Sequence, residues 1–317
     1  MKWEKLEKIF DPSEHKLYED YIGYAQSPQV LIFEDFVRIY FSIRKQSNNG
    51  KFISHIQYIE MDKKFTQILN VSNHEVIPIG ELGCYDEHGI FPINVLKYED
   101  KIYAYLSGWS RRVSVSVETG IGLAMSYDNG KTFKRLGNGP VLTSSLSEPY
   151  LVVDGFVKNY DGIFHMWYIY GTDWTQIDKS SEPERTYKIG HAISEDGINW
   201  KKELKQIISD SIEYECQALP TVIKIKNRYH MYFAYRGTFD FRNNSNNAYK
   251  IGYAYSDDLI TWIRDDQKVG IELSKEGWDS IHLSYPSIVH TKDKTYMFYN
   301  GNNMGQDGFG YAELIEE

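Results

Sequence analysis

A chain of 317 residues with 15% aromatic side chains is not coiled coil, collagen or a disordered segment, each of which carries its own compositional bias. Its 35 Lys+Arg against 44 Asp+Glu give a formal charge of −9, a surface that repels nucleic-acid backbones. No apolar run approaches the ~20 residues of a membrane-spanning helix, so neither nucleic acid nor membrane is an expected partner.

The chain opens Met1-Lys2-Trp3-Glu4-Lys5-Leu6, without the apolar core of a signal peptide. Cys84 and Cys216 suit a reducing compartment with no disulfide framework or zinc cluster, so a cytoplasmic location is expected. Proceeding along the chain, a proline (Pro28, Pro92, Pro149, Pro220, Pro286) precedes a short apolar stretch five times. Ten to fifteen residues later comes an aromatic strand pattern, from Arg38-Ile39-Tyr40-Phe41 to Tyr296-Met297-Phe298-Tyr299. A third element, as in Ile121-Gly122-Leu123-Ala124 and Ile251-Gly252-Tyr253-Ala254, carries small residues that suit close sheet packing. An aromatic then closes a turn containing aspartate: Phe65, Phe133, Trp200 and Trp262.

Five copies of about 63 residues, each holding three or four short strands, predict an all-β five-bladed β-propeller. Trp3 stands where the other repeat aromatics stand, so the N-terminal strand should complete the last blade. Residues 1–317 are expected to form a single domain, since no Pro/Ser-rich linker or charge run divides them.

If the prolines open the first strands, the polar residues before them line one mouth of the ring. These are Gln26 in blade one, Asp86, Glu87 and His88 in blade two, and Glu148 in blade three. Blade four offers Glu215, with Glu213 as competitor, and blade five offers Asp279 and His282. Second strands end on the same face with Arg44, Trp109, Arg111, Trp174 and Arg236. Aromatics, carboxylates and arginines together suit a sugar or sugar-phosphate ligand. The bland alternatives are inter-blade salt bridges for Arg44 and Arg236, rim packing for Trp109 and Trp174, and a turn at Asp279.

The repeat phase and the Ser-x-Asp-x-x-x-Trp turns resemble the five-bladed propellers of arabinanases, xylosidases, invertases, levansucrases and mannoside phosphorylases. Glu148-Pro149-Tyr150, Tyr235-Arg236-Gly237-Thr238-Phe239-Asp240 and Gly277-Trp278-Asp279-Ser280 are similar to a branch labelled "glycosylase" in bacterial surface-polysaccharide gene clusters. The resemblance implies a glycoside hydrolase- or phosphorylase-like enzyme of polysaccharide metabolism. By position it carries a blade-three carboxylate onto Glu148 and an acid onto Glu215. Blade one departs from the pattern, because Gln26-Ser27-Pro28 holds no carboxylate. Asp86 or Glu87 could replace it as base; otherwise an external nucleophile such as phosphate, held by Arg44, Arg111, Arg236 and His282, could act instead. A non-catalytic carbohydrate-binding propeller is the alternative. The sequence demands no metal or cofactor; a structural calcium or a bound phosphate is the option it leaves open.

Overall fold

β-branched and aromatic runs such as Arg38-Ile39-Tyr40-Phe41 become the second strands of small antiparallel sheets in the computed structural model. It describes residues 1–18, 21–47 and 50–316. The first strand, β1 (Lys2–Phe10), leads to blade one: β2 (Tyr21–Ile32), β3 (Val37–Gln46), β4 (Phe52–Met61) and β5 (Ile68–Val71). Blade two holds β6 (Ile90–Tyr98), β7 (Lys101–Arg111) and β8 (Val117–Ser126), with β9 (Lys134–Arg135) and β10 (Leu142–Thr143) both pairing with β8. Blade three is β11 (Val152–Tyr160), β12 (Ile163–Thr175), β13 (Glu184–Ser194) and β14 (Lys201–Lys202). Blade four is β15 (Glu215–Ile225), β16 (Arg228–Gly237), β17 (Lys250–Ser256) and β18 (Ile263–Arg264). The last blade adds β19 (Ser284–His290), β20 (Thr295–Asn300) and β21 (Phe309–Glu316).

Innermost strands touch in a closed circuit, β2 to β6, β6 to β11, β11 to β15, β15 to β19 and β19 back to β2. The expected five-bladed propeller is therefore present. Its closure is also the one expected: β1 pairs antiparallel with β21, Trp3 opposite Leu314 and Lys5 opposite Ala312. Among the described residues no helix is long and apolar enough to cross a membrane.

The aromatic excess sits between blades. Each repeat aromatic meets a second-strand ring of the preceding blade edge-on: Phe65 on Tyr296, Phe133 on Tyr40, Trp200 on Tyr105, Trp262 on Trp167 and Trp3 on Tyr232. Centroid separations run from 5.0 to 6.2 Å, the range in which such pairs attract beyond their buried area. The glycines of the third strands serve a closer purpose than sheet-on-sheet contact. A Cβ on Gly252 would stand 2.5 Å from the Phe233 ring of the same blade, and one on Gly310 would stand 2.5 Å from Trp278. Gly252→Ala is expected to cost about 1–3 kcal/mol by overpacking. The measurement is a lower urea midpoint with unchanged slope.

One expectation about phase needs correction. The prolines do not open the first strands; Pro28 and Pro220 lie well inside β2 and β15, at a bulge where the pairing register shifts. Every innermost strand has this bulge, spanning Gln26/Gln29, Ile90/Ile93, Val153/Phe156, Ala218/Thr221 and Ser284/Ser287. In blade three the equivalent of the proline is Gly155, and Pro149 lies outside β11. The residues just before are thus Ser27, Phe91, Asp154, Leu219 and Tyr285. Four of them, all but Phe91, hold positive φ, 46–58°. Holding non-glycine residues there costs of order 1 kcal/mol or more each, so the surrounding packing must enforce it.

Candidate functional site at the channel mouth

The bulges converge on the axis of the ring. Asp154 Oδ2 accepts the backbone N–H of Leu219 in the next blade at 3.3 Å. Phe91 of blade two reaches Tyr285 of blade five, ring centroids 5.6 Å apart, so side chains meet across the channel. Asp154, Leu219 and the prolines 92, 220 and 286 line a constriction of only about 10 Å³. Burial pushes the Asp154 carboxyl up to about 7, against the opposing effects of the Leu219 hydrogen bond and the Arg185 charge.

Tyrosines surround this carboxyl. Tyr285 lies in its electrostatic field, and burial first and then neighbouring Tyr249 and Asp154 raise the Tyr285 phenol well above its usual range. Tyr249 Oη and Tyr187 Oη are 3.1 Å apart, and Arg236 fixes both, its Nε donating to Tyr249 Oη at 3.2 Å and its Nη2 to Tyr187 Oη at 3.0 Å. Arg236 Nη1 donates to the carbonyls of Gly237 and Thr238, and the guanidinium lies 3.7 Å from the Phe241 ring centre. It is buried and fully engaged by protein. The expectation that Arg236 meets ligand gives way to a different geometry: it positions two tyrosines.

The other expected ligands divide into two groups. Gln26 donates to the Met304 carbonyl and accepts from Arg44 Nε at 3.2 Å, which aims Arg44 over the Tyr24 ring at 4.0 Å. The Arg44 charge acts on the Tyr285 phenol, which places Arg44 on the channel side. His282 Nδ1 accepts the Tyr249 N–H, and burial lowers its pKa. Farther out, Trp109 stacks on His88 and lies under Arg111, beside a groove of about 590 Å³ that includes Phe52, Arg112 and Ser116. Burial, then the charge of Arg111, lowers the His88 pKa. Trp174 packs on the core between blades three and four and lies under Arg185, 5.9 Å away. Among the described residues no carboxylate forms an ion pair with Arg44, Arg111, Arg185 or Arg236.

The expected carboxylates are held elsewhere. Asp86, Glu148, Glu215 and Asp279 are 0–3% exposed, and each is ion-paired to a cation on the outermost strand of its own blade. The partners are Arg135, Lys202 at 2.6 Å, Arg264 at 2.6 Å and Lys5 at 2.7 Å. Tyr168 Oη and Tyr299 Oη add hydrogen bonds to Glu148 and Asp279. Four blades thus repeat one device, which clamps the segment entering a blade onto that blade's outer edge. Glu87 accepts the Gly83 N–H and lies 3.4 Å from His88 Nδ1. None of these carboxylates lines the axial constriction. Asp154 does, and the sequence signal for it is an aspartate inside the apolar run Leu151–Val157, at the regular spacing that Pro149 breaks. Among the described residues no cluster of three or more His, Cys, Asp or Glu suits a metal ion.

No family model matches the chain. It is 29% identical to an uncharacterized protein of Mycobacterium tuberculosis (strain H37Rv) across 99% of both chains. A β-1,2-mannobiose phosphorylase of Thermoanaerobacter sp. (strain X514) is 30% identical over 40% of this chain and 43% of its own length. A solved structure from a family of mannoside phosphorylases that also contains β-1,2-mannoside hydrolases superposes with TM-score 0.69. It is 14% identical and covers 98% of this chain and 93% of that one. The fold is that of the five-bladed propeller glycosidases and mannoside phosphorylases. Among the described residues Asp154 is the carboxyl that lines the axial constriction; the Arg185 charge acts on it, and the Arg44 charge acts on Tyr285.

Proposed function

We propose that the chain is a carbohydrate-active enzyme that cleaves a glycosidic bond, with Asp154 as general acid and inorganic phosphate as nucleophile. The observation that carries the reading is the Asp154 carboxyl, the one that lines the axial constriction among the described residues, raised to about 7 and acted on by Arg185, which has no carboxylate ion-pair partner among those residues. A two-carboxylate hydrolase needs a second carboxyl about 5–9.5 Å away; the blade-one counterpart is Ser27, and Asp86, Glu148, Glu215 and Asp279 are committed to their cations. The phosphorylase among the sequence relatives fits the same chemistry.

In the reaction, the Asp154 proton passes to the glycosidic oxygen as the bond to the anomeric carbon breaks with its electron pair. Phosphate attacks that carbon, and Asp154 recovers a proton from the phosphate. Arg44 and Arg185 hold the oxyanion, whose charge suits their planar donor forks. Arg236 acts through Tyr187 and Tyr249, keeping the wall beside the acid in place. Trp109 and Phe52 offer ring faces to a sugar, and Arg111 its charge. The two free thiols, Cys84 and the buried Cys216, fit a cytoplasmic enzyme of bacterial polysaccharide metabolism.

The test is turnover of β-linked manno-oligosaccharides, aryl glycosides and nucleotide sugars, with and without phosphate. Release of a sugar 1-phosphate only when phosphate is present supports the proposal. Phosphate-independent release of reducing sugar would make the chain a hydrolase, and binding without turnover a carbohydrate-binding propeller. Arg44→Gln is expected to raise the KM for phosphate about tenfold, the loss of one charge-assisted hydrogen bond, with little change in kcat. Initial rates at varied phosphate measure it.

A further inference from the structure

Below the bulge ring the channel widens again. A cavity of about 310 Å³ is walled by all five innermost strands, with Gln29, Asn94, Lys158, Ser287, Lys224 and His290 as its polar lining. The constriction of about 10 Å³, lined by Asp154 among others, separates it from the mouth with the tyrosines. The remaining walls are apolar, among them Val95, Phe156, Val222 and Ile288.

Among the described residues no carboxylate lines this cavity. In a protein of net charge −9 that is an unusual place to put two lysines. Lys158, on β11 and half-buried, lines the cavity. Its amine forms no hydrogen bond or ion pair with a described residue, and its nearest recorded contact is the Phe156 ring, 5.6 Å to the centroid. Lys224 is placed over the Tyr229 ring at 5.1 Å, and His290 Nδ1 is bonded to Thr295 Oγ1 at 2.8 Å. Burial alone lowers the Lys158 pKa, with no anion nearby to offset it.

An ammonium withdrawn from water without a counter-ion is costly, and a bound anion offsets that cost. Low-dielectric walls also concentrate the field of Lys158 and Lys224 inside the channel. The cavity exceeds the size of a simple oxyanion and has neutral donors in Gln29, Asn94 and Ser287 at its polar end.

We propose that the lower channel is a second, non-catalytic binding site for a phosphate group, with Lys158 as its principal ligand and Lys224 at its open side. The shared chemistry is a tetrahedral oxyanion, carried either by inorganic phosphate or by a hexose 1-phosphate. The site lies below the constriction that Asp154 lines, so it is distinct from the phosphate position of the proposed reaction and does not depend on that reading.

The experiment is calorimetric titration of the full chain with inorganic phosphate and, separately, with a hexose 1-phosphate. Wild type, Lys158→Met, Lys158→Arg and Arg44→Gln are compared. Phosphate binding with a component that weakens tenfold or more in Lys158→Met, is retained in Lys158→Arg, and persists in Arg44→Gln after the upper-site component has weakened supports the lower site. Tighter binding of the hexose phosphate in the same pattern names the sugar ester as occupant; equal or weaker binding names free phosphate. If Lys158→Met binds as wild type does, or if all binding vanishes in Arg44→Gln, the lower site does not exist. Lysine-amine NMR supplies a second readout that tolerates a weakly folded variant: phosphate must raise the Lys158 pKa in wild type. No shift at saturating phosphate overturns the proposal.

Discussion

Asp154→Asn is expected to lower kcat on the glycoside substrate by about 10²–10⁴-fold, the usual contribution of a general acid, and at the same time to make the protein more stable at alkaline pH. Both effects come from the same burial. In the unfolded chain an aspartate titrates near 3.9; in the propeller burial raises Asp154 to about 7. Between those values the native state binds the extra proton, so stability falls as pH rises across the window. Above about 7 the full penalty is present, up to about 4 kcal/mol by linkage. Asparagine keeps the shape and cannot ionise, so the variant escapes the penalty at pH 8 and gains nothing at pH 3. Thermal midpoints at the two pH values measure this directly. Catalysis has the matching sign: the acid must be protonated, so kcat should fall as pH rises through about 7. An Asp154→Asn enzyme with wild-type turnover, or with a pH–stability curve parallel to wild type, would remove Asp154 from the role.

The architecture was legible because its markers are chemical repeats with one job. Trp3 is the clearest case: it meets Tyr232 edge-on as Trp262 meets Trp167, so its place in the repeat foretold the closing strand. Asp154 was harder to see. The bulge needs a residue after it that fits a tight turn toward the axis; proline supplies it in four blades and Gly155 in the third. Pro149, six residues before Gly155, imitates the missing proline and moves attention to Glu148. The carboxylates before the first strands were misleading for another reason. A buried acid announces itself in sequence only by its type, while its partner lies far along the chain. Asp279 finds Lys5 and Glu215 finds Arg264, pairings that exist only once the outer strand has folded back over the entering segment.

That clamp makes a contrasting prediction. Glu215, itself fully buried, accepts from Arg264 Nη1 at 2.6 Å, from the Ser211 N–H and hydroxyl, and from Gln217 Nε2 at 2.8 Å. Arg264→Met leaves the carboxylate buried without its cation and is expected to cost about 3–5 kcal/mol, a large part of a domain's usual stability. Urea unfolding reads the loss as a lower midpoint. Glu215→Gln combined with Arg264→Met should be less destabilised than Arg264→Met alone, because the stranded charge is gone. The folded fraction of either variant should keep its kcat, since the pair clamps an outer strand and does not line the axial constriction. Asp154→Asn and Arg264→Met therefore separate the two kinds of buried carboxylate in this ring, one losing rate while gaining stability at high pH, the other losing stability while keeping rate. Should Glu215→Gln abolish turnover in a stably folded protein, Glu215 would return to the catalytic site and the clamp would be only part of its task.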